Sequence, residues 1–190
     1  MGILVLVLII SVGLNLYDHL IVLPQMQATI NNMRVQALDA WLSKMELVKN
    51  ILEQAETNFD VEDAHVHTSW ARLSEEKLSN GINIFEHGKE MYYWVSKVTW
   101  YLDRALLKVH SGNQTGAVTE RNLDQNVLTL IENVTTNIEN LRSKTSFMWI
   151  TSLKGVEPTQ QLREADVLTD SLNYLEQVYQ ISIVILNYYK

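Results

Sequence analysis

Apolar side chains recur at steps of three and four residues along most of the chain, which is the spacing that places them on one face of an α-helix. One such helix is predicted over residues 25–57 and a second over 61–78. A third begins at Ile82 or Glu86 and ends at Val109, a fourth covers 119–150, and the last covers 159–190. The chain is therefore expected to be all-α, with long helices that pack along apolar stripes.

Four of these helices carry a stripe that can be assigned residue by residue. In the first it is Ile30, Met33, Ala37, Trp41, Met45, Val48 and Leu52; in the third Met91, Val95, Val98, Leu102, Ala105 and Val109. In the fourth it is Leu123, Val127, Leu130, Val134, Asn137 and Leu141; in the last Ala165, Leu168, Leu172, Leu175, Tyr179 and Leu186. Short connections, marked by Asn80-Gly81 and by the glycines of HSGNQTG and SLKGVEPTQ, favour antiparallel neighbours. Residues 24–190 are thus predicted to form an antiparallel bundle of about four long helices.

The first 23 residues, MGILVLVLIISVGLNLYDHLIVL, are the most apolar part of the chain. A membrane span needs roughly 20 apolar residues to cross a hydrocarbon core of about 30 Å, and Gly2–Leu23 reaches that length. Asp18 and His19 then lie near one interface, where the ring of Tyr17 is also favoured. We interpret residues 1–23 as a single-pass transmembrane anchor. The residues expected to form it are Ile3, Leu4, Leu6, Leu8, Ile10, Leu14 and Tyr17.

Two other interpretations of this opening stretch are weaker. A cleaved signal peptide carries basic residues before its apolar run and small residues at its cleavage site, and neither pattern is present. A core helix this apolar on every face would need protein on every side. The expected location is the membrane. The side on which the bundle lies is left open, because no Lys or Arg precedes the run and Arg34 is the first to follow it.

Composition narrows the classes of function. The chain of 190 residues has a net charge of −7, which disfavours general nucleic-acid binding because that needs Lys and Arg against phosphates. It contains no cysteine, so disulfides, thiolate catalysis and cysteine-bound zinc are excluded. No glycine-rich phosphate loop and no GxSxG motif occurs. We therefore predict no catalytic residue and no cofactor.

The strongest metal-ligand candidate is the segment EDAHVHTSW, with Glu62, Asp63, His65 and His67. Imidazole and carboxylate groups are ligands of zinc and iron. The two histidines are separated by only two positions, however, so on a helix they point to different faces. HExxH is absent, and no ExxH pair recurs on two helices as a di-iron bundle requires. We therefore predict no metal site, and polar residues at a helix start are the preferred interpretation.

Aromatic residues are concentrated in the segment MYYWVSKVTWYL. Tyr93, Trp94, Trp100 and Tyr101 are the candidate partner surface, since aromatic side chains are enriched at interfaces. The preferred interpretation of the segment as a whole is packing within the bundle, where aromatic rings supply large buried area.

Two regions resemble the LemA family of bacterial membrane-anchored helical proteins. The first is the Met-Gly apolar start followed by YDHLIVL and the helix ALDAWLSKMELVKNILE; Tyr17, Asp18, Leu20, Ile21 and Leu23 carry the match. The second is the final segment LREADVLTDSLNYLEQVYQISIVILNYYK, with Leu175-Glu176 and a tyrosine-rich tail. The chain departs from the family where Met45-Glu46-Leu47 replaces a basic pair and an Ile-Pro-Asn segment. The resemblance implies an anchored helical bundle that is a scaffold rather than an enzyme.

These observations favour a membrane-anchored bundle that acts as a scaffold or protein–protein interaction module, bound to a protein partner or to copies of itself. The alternative is a ligand-binding sensor domain, similar to the four-helix domain of bacterial chemoreceptors. In that case the apolar segment Val178–Leu186 would lead into a second span beyond Lys190.

Overall fold

The computed structural model describes residues 2–79, 88–112, 117–152 and 158–189, with side chains described for 10–26, 29, 38–75, 92–112, 117–144 and 169–189. The helices are α1 (Gly2–Tyr17), a π-helical turn (Asp18–Val22), α2 (Leu23–Leu52), α3 (Asp60–Ser79), α4 (Gly88–Ser111), α5 (Gln125–Ser152) and α6 (Pro158–Tyr188). No β-strand occurs in these ranges, so the all-α prediction is confirmed. The predicted turns at Asn80-Gly81 and Gly155 lie outside the described residues.

The π-helical turn joins α1 to α2 without a break in the helix. Pro24, in the first turn of α2, has no N–H to donate to the carbonyl of Leu20. The helical turn just before Pro24 contains one extra residue. The N–H of Leu23 therefore donates to the carbonyl of Asp18, five residues back, instead of to a carbonyl four residues back. The helix therefore continues through the predicted boundary between anchor and bundle at residues 23 and 24.

Five helices close into a ring in the order α2, α3, α4, α6 and α5. The core inside the ring is built from the large buried side chains Trp41, Leu42, Met45, Leu102, Leu106, Ile138, Leu175 and Ile185. The bundle thus contains five helices in the described ranges, one more than the approximate number predicted. All five correspond to helices that the sequence predicted between residues 25 and 190, the first of them being α2.

Directions around the ring follow from contacts between helices. Arg142 of α5 bonds Asp39 of α2 at 2.9 Å, and Glu139 of α5 lies 3.9 Å from Lys49, so these two helices are antiparallel. The α2–α3, α3–α4 and α5–α6 pairs are antiparallel as well. An odd ring cannot alternate throughout, and α4 and α6 are the parallel pair.

Two connections are held together at one end of the bundle by Asn58, which is completely buried. Its amide Nδ2 donates to the carbonyls of His110 at 2.8 Å and Thr119 at 3.3 Å, and its Oδ1 accepts from the N–H of Arg121 at 2.8 Å. The backbone N–H of Asn58 donates to the carbonyl of Arg121 at 3.0 Å. The α2–α3 connection and the long α4–α5 connection are therefore fixed to each other.

In the part of the chain that the structure describes, no helix is both long enough and apolar enough to cross a membrane. The regular α-helical segment α1 is 16 residues long, and the π-helical turn that follows it begins with Asp18. The expected transmembrane helix is accordingly not supported by the fold. Among the predicted anchor residues, Ile10, Leu14 and Tyr17 are exposed, while the side chains of Ile3, Leu4, Leu6 and Leu8 lie outside the described ones.

Candidate functional site

The outer side of α4 carries a regular stripe of residues that are exposed, except for Lys97, which is half-buried. Tyr93, Lys97, Trp100, Arg104 and Leu107 follow one another at alternating steps of four and three, which keeps them on one helix face. This face lies opposite the core stripe of the same helix. Tyr93 is 49% exposed, Trp100 44% and Leu107 39%. Large apolar side chains of this kind on the outside of a bundle are typical of an interaction surface.

The basic residues of this stripe lie over its aromatic rings. Lys97 Nζ is 4.4 Å from the ring centroid of Tyr93, and the guanidinium carbon of Arg104 is 5.1 Å from that of Trp100. Such cation–π contacts hold the charges and rings together. A side-chain hydrogen bond with Tyr93 raises the pKa of Lys97 above its ordinary value. The stripe therefore presents alternating aromatic and positively charged groups.

The other two aromatic candidates have a different environment. Trp94 and Tyr101 are half-buried between α4 and α6, where both contact Tyr179 edge-on. The ring centroids are 5.7 Å apart for Trp94 and Tyr179 and 4.7 Å apart for Tyr101 and Tyr179. The four predicted residues thus divide into two that point outwards and two that pack between helices.

A shallow groove of about 270 Å³ lies between α3 and α4. It is lined by Arg72, Glu75, Ser96, Lys97, Trp100 and Tyr101. The volume falls below the 300–1,000 Å³ that is usual for small-molecule sites. The lining combines two cations, one carboxylate and two aromatic rings, so it offers contacts to both charged and planar groups.

The outer side of α3 continues this surface and was missed in the sequence. Val66, Trp70 and Leu73 recur at steps of four and three and are 37%, 50% and 62% exposed. Lys44 of α2 lies over Trp70, with Nζ 5.6 Å from the ring centroid. The steps of four and three between these residues are visible in the sequence. The core side of α3 holds small and polar residues, however, so hydrophobicity alone did not show which side of the helix faces outwards. These core-side residues are Val61, Ala64, Thr68, Ala71 and Glu75.

The α3–α4 face is defined here as Val66, Trp70, Leu73, Tyr93, Lys97, Trp100, Arg104 and Leu107. The contrast with α5 is sharp, since every exposed side chain described on α5 is polar. These residues are Gln125, Asn126, Thr129, Glu132, Asn133, Thr136, Glu139, Asn140 and Ser143. Exposed apolar area in the bundle is therefore concentrated on particular helices rather than spread evenly over the ring.

His65, Ser69 and Asp103 meet between α3 and α4, but not as a catalytic triad. His65 Nδ1 lies 2.9 Å from Asp103 Oδ1, and the hydroxyl of Ser69 donates to the same oxygen at 2.6 Å. In a triad the histidine takes the proton of the serine. Here both bonds end on the carboxylate, so the serine is not activated and the cluster ties α3 to α4.

His67 lies on a different side of α3 from His65, as the spacing predicted. Its ring packs edge-on against Trp70 at 5.0 Å between centroids. Its Nδ1 is buried and has no hydrogen-bond partner among the residues that the structure describes. Among the described side chains, no three His, Asp or Glu residues are grouped so that they could hold a metal ion.

Comparisons of the chain with protein families, with curated proteins and with solved structures find no match. The resemblance to the LemA family therefore rests on the quoted residues alone, and the argument for function depends on the surface of the bundle.

Proposed function

We propose that this chain is a single-pass membrane-anchored helical bundle that acts as a scaffold and docks protein partners on its α3–α4 face. The observation that carries the docking role is the exposure of Tyr93 and Trp100 in one regular stripe, on a bundle whose exposed α5 side chains are all polar over the described residues 125–144. Aromatic side chains and arginine are enriched in the cores of protein interfaces, and this stripe is composed of them.

The apolar start of the chain supports the anchoring role. Every described side chain from Ile10 to Ile21 is exposed, including those of Val12, Leu14 and Leu16. Placing this surface in lipid removes apolar area from water, at about 25 cal/mol per Å². The helix continues through the π-helical turn, so residues 2–23 together measure about 33 Å at a rise of 1.5 Å per residue. That length matches a hydrocarbon core of about 30 Å.

Membrane fractionation with an alkaline wash tests the anchor. Val12 and Val184 are matched positions, 51% and 50% exposed, one on α1 and one on the bundle. Val12→Asp should shift the protein from the washed pellet to the supernatant, since a carboxylate in the middle of a span costs about 3 kcal/mol. Val184→Asp should leave the distribution unchanged. Recovery of the wild-type chain in the supernatant would contradict the anchor.

Photo-cross-linking in membranes tests the docking role. A photoreactive amino acid in place of Trp100 should link the chain to another protein, whereas the same residue in place of Thr136 on α5 should not. Both positions are exposed, so accessibility alone predicts equal labelling. Equal labelling at the two sites, or none at position 100, would count against the α3–α4 face as the docking surface.

The groove between α3 and α4 favours a second candidate, a ligand-binding sensor domain. Arg72 and Lys97 suit a carboxylate, Glu75 suits an ammonium group, and Trp100 can cover an apolar side chain. A free amino acid has this combination of groups. Calorimetric titration with the common amino acids would show saturable heat that Arg72→Ala abolishes, and no heat with any of them would reject this candidate.

A further inference from the structure

Near the start of α3, the outer sides of α3 and α4 carry opposite charges. Glu62 and Asp63, both exposed, lie in the first turn of α3, and Arg104 is exposed on α4. Farther along, both helices carry a cation, since the exposed Arg72 of α3 and the half-buried Lys97 of α4 line one groove. The end of the surface where α3 begins therefore holds acidic groups beside a basic group, which is the arrangement that a self-complementary interface needs.

The heights of these residues along the bundle are fixed by contacts between the two antiparallel helices. His65 and Asp103 are level, since their side chains lie 2.9 Å apart. Asp63 is two residues away from His65, a distance of about 3 Å along the axis. Asp63 is thus within one helical turn of the height of Arg104. Trp70 is five residues along α3 from His65, and Trp100 is three residues back along the antiparallel α4 from Asp103, so their heights differ by only about 3 Å.

We infer that the α3–α4 face binds a second copy of this chain. A two-fold axis in the plane of the face and parallel to the helices lays α3 of each copy over α4 of the other at unchanged height. Asp63 of one copy then meets Arg104 of the other, and Trp70 meets Trp100. The inference rests on the docking role proposed for this face and gives that role its partner.

A second copy fits this surface better than a membrane does. Anionic lipid is bound by clusters of four to eight Lys and Arg residues, whereas Arg72, Lys97 and Arg104 on this surface are separated by aromatic rings and accompanied by two carboxylates. Glu62 and Asp63 on the same surface would be repelled by anionic lipid. The alternating steps of four and three also match the repeat that allows one helix to pack along another.

Charge reversal in differently tagged full-length chains, co-purified in detergent, tests the pairing. Wild-type chains should co-purify with each other. Asp63→Lys chains should bind one another about tenfold or more weakly, because the symmetric pair then contains two like-charge contacts. Arg104→Glu chains should behave in the same way. A mixture of the two variants should recover binding, since both of its contacts join opposite charges.

Glu132→Lys on the polar surface of α5 is the matched control, and it should leave co-purification unchanged. Recovery in the mixture cannot arise from contacts within one chain, because each chain carries only one reversal. The inference is overturned if wild-type chains do not co-purify, if neither reversal weakens their binding, or if the mixture binds no better than either variant alone.

Failure of the self-association inference and failure of the proposed function would give different experimental results. If the chains do not pair but position 100 still cross-links to another protein in membranes, the docking role stands with a different partner. If Val12→Asp does not release the protein from membranes, the anchor fails and the co-purification result is unaffected.

Discussion

The indole N–H of Trp41 donates a hydrogen bond of 2.9 Å to the hydroxyl oxygen of Thr99. Both residues are buried, with exposed fractions of 0% and 1%. The hydroxyl of Thr99 in turn donates to the carbonyl of Val95 at 2.8 Å. The Trp41–Thr99 bond crosses the core between α2 and α4, which are not neighbours in the ring. It gives Trp41, the largest buried side chain, a single orientation.

Thr99→Val keeps the shape of the side chain and removes the acceptor of this bond. The buried N–H of Trp41 is then left without a partner, which should lower the free energy of unfolding by about 1–3 kcal/mol. Chemical denaturation followed by circular dichroism measures the change. Thr136→Val on the exposed side of α5 is the control and should cost less than about 0.5 kcal/mol. Equal effects of the two substitutions would contradict the role of the bond.

Asn58→Ala should destabilise the bundle by at least about 2 kcal/mol, because it leaves the carbonyl of His110 and the N–H of Arg121 without the partner that each has now. Denaturation midpoints of the variant and of Asn133→Ala, an exposed asparagine on α5, give the comparison. If Asn58→Ala matched the surface control, the two connections would have to be held by something other than this side chain.

Gly112 ends α4 with a φ of +57°, a backbone conformation that is costly for residues with a Cβ atom. A Cβ there would also meet the guanidinium of Arg121, which donates to the carbonyl of Val109. Gly112→Ala should therefore lower stability by about 1–2 kcal/mol. Gly13→Ala is the control, since no atom lies within 4 Å of the added group. Gly13 lies in the middle of a helix, where alanine is favoured over glycine, so Gly13→Ala should cause no loss. The same result for Gly112→Ala would show that the turn relaxes without cost.

Asp60 should make stability depend on pH at the start of α3. Its carboxylate accepts the backbone N–H groups of Thr57 and Glu56, at 2.7 and 3.0 Å, and these bonds lower the pKa of Asp60 below its ordinary value. Its stabilising effect is thus present above the unfolded pKa, about 3.9, and is lost as the pH falls through the lower folded value.

Asp60→Ala should cost about 0.5–1.5 kcal/mol at pH 7, the usual net contribution of a hydrogen bond, because the N–H groups of Glu56 and Thr57 lose their acceptor, and the cost should be smaller when the pH is lowered through that range. Asp60→Asn keeps an acceptor oxygen without a titrating proton. The difference between the Asn and Ala variants should therefore not change with pH. Denaturation series at several pH values provide the measurement, and a cost of Asp60→Ala that is constant down to pH 2 would contradict the assignment.

The half-buried and the exposed members of the four candidate aromatics should differ in how much they contribute to stability. Trp94→Ala removes the half-buried ring that packs on Tyr179 and should cost about 2–3 kcal/mol, less than a fully buried Trp. Tyr93→Ala, one residue away but 49% exposed, should cost about 0.5 kcal/mol. Thermal unfolding of the two variants measures both losses of stability. Similar losses would mean that Tyr93 contributes to packing as much as Trp94.

The sequence predicted the core best where the core is made of large aliphatic residues. On α4, Val95, Val98, Leu102, Ala105 and Val109 were all assigned to the buried stripe and are all buried. The same stripe could have shown that Tyr93 and Trp100 point away from the core. This division of the candidate surface was therefore available in the sequence.

The predicted buried stripe of α6 was only partly correct. Its buried positions are Ser171, Leu175, Val178, Ser182 and Ile185, whereas the predicted stripe included Tyr179 and Leu186, which are only half-buried. Two serines lie in the core because their hydroxyls can bond carbonyls of the same helix, as Ser182 does to Val178 at 2.7 Å. A hydrophobicity pattern cannot detect polar residues that are satisfied in this way. Nor could it give the order of helices around the ring, which depends on contacts between distant segments.

The odd number of helices in the ring has an electrostatic consequence. At the end of the bundle where Asn58 lies, the carboxyl ends of α2, α4 and α6 meet the amino ends of only α3 and α5. Each carboxyl end carries about half a negative charge and each amino end about half a positive one, so the helix dipoles do not cancel there. Arg121 lies at this end, with Nη2 3.3 Å from the carbonyl of Val109. Together with Lys49 and Lys108 in the last turns of α2 and α4, its guanidinium places positive charge where the five-membered ring leaves the helix dipoles uncompensated.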